Sequence, residues 1–138
     1  MLRHGFTNHQ GNVMTGLMCL TLALYFETRG ESVDGKLAVA DVILNRVEDP
    51  RYPDTICDVI KEDSQFSFMF DGKPEHMDDP VAAKEARQVA LDALNGQRLG
   101  ITSTHYHTVE IHPVWASAFS LDGIVGNHVF YTNETKHK

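Results

Sequence analysis

The chain has 138 residues, 42% of them hydrophobic and 22% charged, with a formal net charge of -7. Those values describe an ordinary globular protein and fit one core. The acidic balance argues against nucleic acid or an anionic membrane as the main partner, because either would select a Lys/Arg-rich face. It leaves a neutral or zwitterionic polymer open.

No repeat, low-complexity tract or Gly/Ser linker divides the chain, so residues 1–138 read as one domain. Residues 13 to 26, "VMTGLMCLTLALYF", form an apolar run too short to span a bilayer. Glu27 follows it rather than a small-x-small cleavage site, so the run reads as a buried helix and not as a conventional signal peptide. Helical spacing of Leu17, Leu20 and Leu24, with Met18, Thr21 and Tyr25, predicts a helix over 12–28, stopped near Gly30. Asp34 is the expected cap of a second helix over 35–48, with Leu37, Ala40, Leu44 and Val47 as its apolar stripe and Pro50 as its end. Asp41 and Asn45, four apart, share another face of it. Pro53 is the expected start of a short third helix carrying Ile56, Val59 and Ile60.

"QFSFMF", 65–70, alternates as a strand does, and Asp71-Gly72 is a turn signal. Asp79 and Pro80 cap and open a further helix, whose face runs through Ala82, Ala86, Val89, Ala90 and Ala93 to Asn95-Gly96. "ITSTHYHTV" and "HVFYT" read as strands. The order predicts an α+β fold, mostly helical with a small antiparallel sheet.

Cys19 and Cys57 sit among apolar residues and form no CxxC pair. They read as free buried thiols in a reducing cytoplasm, a disulfide being possible without positive support.

Chemistry concentrates in "YFETRGES", 25–32. Glu27 and Glu31 lie at the carbonyl end of an apolar helix, where the dipole repels carboxylates, with Arg29 as the nearby offset. Such a place, beside apolar walls, disfavours the charged carboxylate and suits a general acid that must carry a proton near neutral pH. A solvated helix end accounts for the same residues equally well. His105, His107, His112 and His128, with Glu110 nearby, offer a metal-binding alternative, since His105 and His107 share one strand face. No HExxH, GxSxG, Walker A loop or GxGxxG is present. Tyr106, Trp115, Phe119, Phe130 and Tyr131 supply core, with one or two free to line a groove for a sugar ring.

Taken together, "YFETRGES", "GKLAVADVILNRV", "RYPDTICDVI", "QFSF", "ALNG", "THYHTVEIHPVWA" and "GNHVFY" resemble the spore-cortex-lytic (SleB/CwlJ-type) cell wall hydrolases over about residues 20 to 132. Thr28 stands where the family usually has alanine and Phe26 where it has glycine. The resemblance implies a lysozyme-like fold and cleavage of the peptidoglycan glycan strand, as a lytic transglycosylase dependent on one glutamate, matched here by Glu27. It implies no metal or other cofactor. Glu31 matches the motif's last acidic residue, and a structural pairing with Arg29 or a nearby backbone group is expected of it. Asn45, Gln65 and Ser67 are expected to bind the sugar or orient Glu27, and Tyr106 and His107 to form the opposite wall. The rivals are a zinc-dependent N-acetylmuramoyl-L-alanine amidase built on the histidines, and a non-catalytic wall-binding protein. A monomer made in the cytoplasm without a conventional signal peptide or membrane anchor, acting on the wall or periplasm as a phage endolysin does, is the expected setting.

Overall fold

A computed structural model describes residues 14–62 and 77–133. Among the described residues four helices precede a small sheet: α1 (Gly16–Glu27), α2 (Val33–Glu48), α3 (Ile56–Glu62), α4 (Pro80–Leu94), β1 (His105–Thr108), a 3-10 turn (Val114–Ala118), β2 (Ser120–Val125) and β3 (His128–Thr132). The expected α+β class, helical first and stranded later, is what the chain adopts. The strand and turn expected at 65–72, and with them Gln65 and Ser67, lie outside the described residues.

Helix α1 begins where the Thr15 side chain accepts from Met18 N. It has no polar face to present to water, and Cys19 through Tyr25 are all buried. It therefore sits inside the helical layer, packed against α2, α3 and α4. Helix α4 meets it with Ala86, Val89, Ala90 and Ala93, small side chains that let the two helices approach closely. Phe130 reaches into the same core from β3 and is 1% exposed. The cap and first turn of α4 are as read from sequence: Asp79 accepts from Val81 N and Ala82 N, and Pro80 occupies the first turn.

Several local expectations are corrected. The cap of α2 is Ser32, whose hydroxyl accepts from Gly35 N at 3.1 Å, and Asp34 lies inside the first turn. A carboxylate there still favours the helix through the dipole, which is why either residue fits the sequence. Helix α3 starts after Thr55, whose hydroxyl accepts from Asp58 N, and not at Pro53. Strand β1 is shorter than the "ITSTHYHTV" run. Strand β2 was not anticipated: its register with β3 shifts between Leu121 and Gly123, so no clean alternation marks it. The sheet order is β1-β3-β2, antiparallel throughout.

The two cysteines are not free thiols. Cys19 on α1 and Cys57 on α3 form a disulfide that closes a separation of 38 residues. The packing of α1 against α3 places them together, a proximity that no local spacing encodes.

Candidate active site

Helix α2 connects the helical layer to the sheet. Asp41 is fully buried and its carboxylate receives Arg98 Nε at 2.6 Å, Gly100 N at 2.7 Å and Ile101 N at 3.2 Å. One turn on, Asn45 Nδ2 donates to the carbonyls of Ile101 and Ser103, and Asn45 Oδ1 accepts from Arg98 at 2.8 Å. Arg46 Nε donates to Thr104 O at 2.7 Å. The polar face of "ADVILNR" thus carries the segment that leads directly into β1. The Asn45 amide is committed to this backbone; it borders a cavity of about 410 Å³ together with Thr102, Thr104 and Thr132.

Strand β1 then delivers Tyr106 to the end of α1. Its hydroxyl donates to Glu27 Oε1 at 2.9 Å, joining residues 79 apart in sequence. Glu27 is half-buried, the last residue of α1. On the next residue, the Thr28 hydroxyl donates to Leu24 O at 2.6 Å and closes the last turn.

The positive charge at this helix end comes chiefly from Lys36, which sequence reasoning missed. Its side chain is 5% exposed, and Nζ donates to Thr28 O at 3.1 Å and Glu31 O at 2.7 Å, with Glu85 at 3.3 Å. An ammonium on the terminal carbonyls offsets the dipole that makes carboxylates costly there. Arg29 does not pair with Glu31. It lies over the Tyr25 ring at 4.6 Å and pairs with Asp79 at 3.4 Å. Glu31 instead reaches the turn before β3, accepting from Asn127 N at 3.2 Å and Asn127 Nδ2 at 3.1 Å.

Alternation along β1 separates the two residues expected to form one wall. Tyr106 packs with His128 and Phe130 on the helix side of the sheet. His107 faces the other side, stacked on Tyr131 and beside Trp115. Its Nδ1–H donates to Thr108 O at 2.6 Å, so Nε2 accepts from the Tyr131 hydroxyl at 2.9 Å. His105 joins that second cluster with Tyr52, Trp115 and Phe119. Burial, with Arg46 and Arg51 adding to it, lowers the His105 pKa to about 4.

His128 is 2% exposed, and burial lowers its pKa too. Glu31 and Glu110 oppose that shift and His107 adds to it. The ring is therefore neutral near pH 7, and its 3.9 Å approach to Glu31 Oε2 is a polar contact, not an ion pair. His105 and His107 thus lie on one face of the sheet, His128 on the other, and His112 is exposed beyond the strand. Among the described residues no three His, Cys, Asp or Glu side chains converge to hold a metal ion.

The helical layer with its three-stranded sheet is a lysozyme-like α+β fold, shared with solved catalytic domains. One is the "catalytic domain of germination-specific lytic transglycosylase SleB from Bacillus anthracis", with a TM-score of 0.71 and 27% identity, covering 95% of this chain and 100% of that one. The catalytic domain of the Bacillus cereus SleB protein matches with the same TM-score and identity, over 95% of each chain. The Cell Wall Hydrolase family profile matches residues 30–131, and the chain belongs to that family. Relatives named spore cortex-lytic enzyme include one from Halalkalibacterium halodurans, 35% identical over 83% of this chain and 34% of its own length. Another, from Bacillus subtilis, is 38% identical over 67% of this chain and 27% of its own. The chain thus spans about a third of the length of these relatives. Among the described residues no helix is long and apolar enough to cross a membrane.

Proposed function

We propose that this chain cleaves the glycan strand of peptidoglycan between N-acetylmuramic acid and N-acetylglucosamine, as a lytic transglycosylase with Glu27 as its catalytic residue. The observation that carries the reading is the Tyr106 hydroxyl on Glu27 Oε1, which holds a carboxyl group at the end of a buried helix in one orientation. The names of the relatives and of the solved domains support the same substrate and reaction class.

Protonated Glu27 donates to the bridging oxygen as the C1–O bond breaks. The resulting carboxylate takes the proton of the muramic acid C6 hydroxyl, and O6 closes onto C1. The product is a 1,6-anhydro end, no water is consumed, and Glu27 finishes protonated. A hydrolytic glycosidase needs a second carboxyl, at roughly 5–5.5 Å or 6.5–9.5 Å depending on stereochemistry. Glu31 is the nearest candidate in sequence, but its carboxylate is turned to Asn127, which favours the one-carboxylate route. Gln65 and Ser67 keep their proposed place as sugar contacts. Asn45 acts by orienting the path into β1. The Cys19–Cys57 disulfide supports an oxidising working location, such as the wall compartment, over the reducing cytoplasm.

The test is Glu27→Gln, nearly isosteric and unable to exchange the proton. Loss of general acid catalysis lowers the rate by about 10²–10⁴. Mass spectrometry of muropeptides from the unaltered protein shows anhydro ends, one water lighter than hydrolysed ones. Wild-type clearing by Glu27→Gln overturns the mechanism, and peptide stems released from uncut glycan indicate an amidase instead.

A further inference from the structure

Glu31 is an unusual carboxylate for a helix junction. Its side chain is 7% exposed, yet its partners lie 96 residues away, in the turn between β2 and β3. Both oxygens are used: Oε1 accepts from Asn127 N and Oε2 from Asn127 Nδ2. The turn is shaped to admit the carboxylate. Gly126 has φ +59°, and a Cβ there would press into Glu31 Oε1, so a larger residue would strain the turn and displace the carboxylate from it. Gly35 borders the same carboxylate, with its Cβ position 3.1 Å from Oε1.

Asn127 in turn holds β1. Its carbonyl accepts from Val109 N at 2.9 Å, immediately after the strand that carries Tyr106. The next residue, His128, meets the Tyr106 ring edge-on at 5.2 Å, and Phe130 stacks on the same ring at 5.9 Å. The ring that places its hydroxyl on Glu27 is therefore seated on the strand that Glu31 grips.

We propose that Glu31 is a positioning residue for Glu27: by holding Asn127 it fixes β3 against β1, and so fixes the Tyr106 hydroxyl on the Glu27 carboxyl. The two carboxylates of "ETRGE" are then the two ends of one relay that leaves α1, crosses the sheet and returns. The relay rests on the proposed role of Glu27 and extends it. His128 Nδ1, buried and without a hydrogen-bond partner among the described residues, lies 3.9 Å from Glu31 Oε2. Its neutral ring fills the space between the carboxylate and Tyr106 without competing for the Asn127 donors.

A double-mutant cycle on purified glycan strands tests this. Glu31→Gln keeps the shape and one acceptor oxygen but turns an amide toward an Asn127 donor. A misplaced Tyr106 hydroxyl lowers kcat by about 10-fold, within the 10²-fold that small displacements of catalytic groups can cost. KM stays within about twofold, since the glycan contacts are untouched. Asn127→Ala, at an exposed position, removes only the Nδ2 bond and lowers kcat by a smaller factor. Both losses shrink below about twofold in a Tyr106→Phe background, because the hydroxyl they act through is already gone. A purely structural Glu31 gives equal losses in both backgrounds, tracking a lower melting temperature, and that result overturns the proposal. So does a Tyr106→Phe protein with wild-type kcat. Activity retained in Glu27→Gln overturns the chemistry itself, whereas an inactive Glu27→Gln with uncoupled Glu31 and Tyr106 overturns the relay alone.

Discussion

The helical layer and the sheet are held by different means. Helices α1 to α4 bury aliphatic side chains and a disulfide, with Cys19 to Tyr25 of α1 all buried. The sheet has three short strands and reaches the core mainly through Phe130; rings and polar groups, Asp41–Arg98 among them, supply its other ties. The helical layer supplies Glu27 on a rigid end, and the sheet supplies Tyr106, whose place depends on hydrogen bonds. Stability and catalytic geometry should therefore respond to different substitutions.

The largest expected effect lies in the helical layer. Replacing Cys57 by Ala releases a 38-residue separation, and the chain-entropy relation puts the loss at about 4 kcal/mol. Urea denaturation measures it, and activity per folded molecule should hold. An unchanged unfolding midpoint would show that apolar burial alone carries the layer. Next is Asp41→Ala, which strands Arg98 and two backbone amides at the seam. Breaking a buried pair by removing one partner costs about 3 kcal/mol. Because the same carboxylate directs the chain into β1, activity of the folded fraction should fall as well, unlike the disulfide variant.

Tyr106→Phe reverses the pattern. Glu27 becomes charged as it gives up its proton, and loss of a hydrogen bond to that developing charge, worth about 1.5–3 kcal/mol, lowers kcat by roughly ten- to a hundredfold with little change in melting temperature. An equal fall in stability would erase the distinction between the two regions.

Acid should weaken the sheet side first. The His105 pKa is depressed from 6.5 to about 4, and that of His128 is also lowered, so the unfolded chain binds more protons than the folded one as pH falls. Their contribution is intact above pH 6.5 and is lost toward pH 4. His105→Phe, which keeps a ring in the cluster, should flatten the stability profile across that window. The smallest effect is expected of His107→Gln. Its ring faces Tyr131 and Trp115 across the sheet from Tyr106, so kcat should stay unchanged while the second aromatic cluster loosens slightly. A large loss of kcat would place His107 back beside the glycan.

Much of the fold is legible in the order of residues, and the reasons are local. Asp79-Pro80 opens α4 and Asn95-Gly96 closes it because caps satisfy backbone groups within a turn. The apolar run before Glu27 reads as a buried helix, and α1 is one. Strand β2 escaped notice because its bulge and its exposed side chains erase the period of two. Asp34, the expected cap of α2, gives way to Ser32 because both residue types fit a helix start.

The site divides along the same line. Glu27 stands out through a short motif and the electrostatic oddity of its place, and Tyr106 through its position in "THYH". Nothing in the sequence says that Glu31 holds Asn127, 96 residues later. No signal in the sequence marks Lys36, which is nearly fully buried. Sequence by itself determined the helices, the cap of α4 and the acidic residue at the end of α1, because sterics and hydrogen bonds within a few residues decide those. Tertiary packing alone decided that Cys19 meets Cys57, that Lys36 takes up the end of α1 and that Glu31 reaches Asn127. Those outcomes depend on how helices and strands stack, a long-range choice that no spacing along the chain expresses.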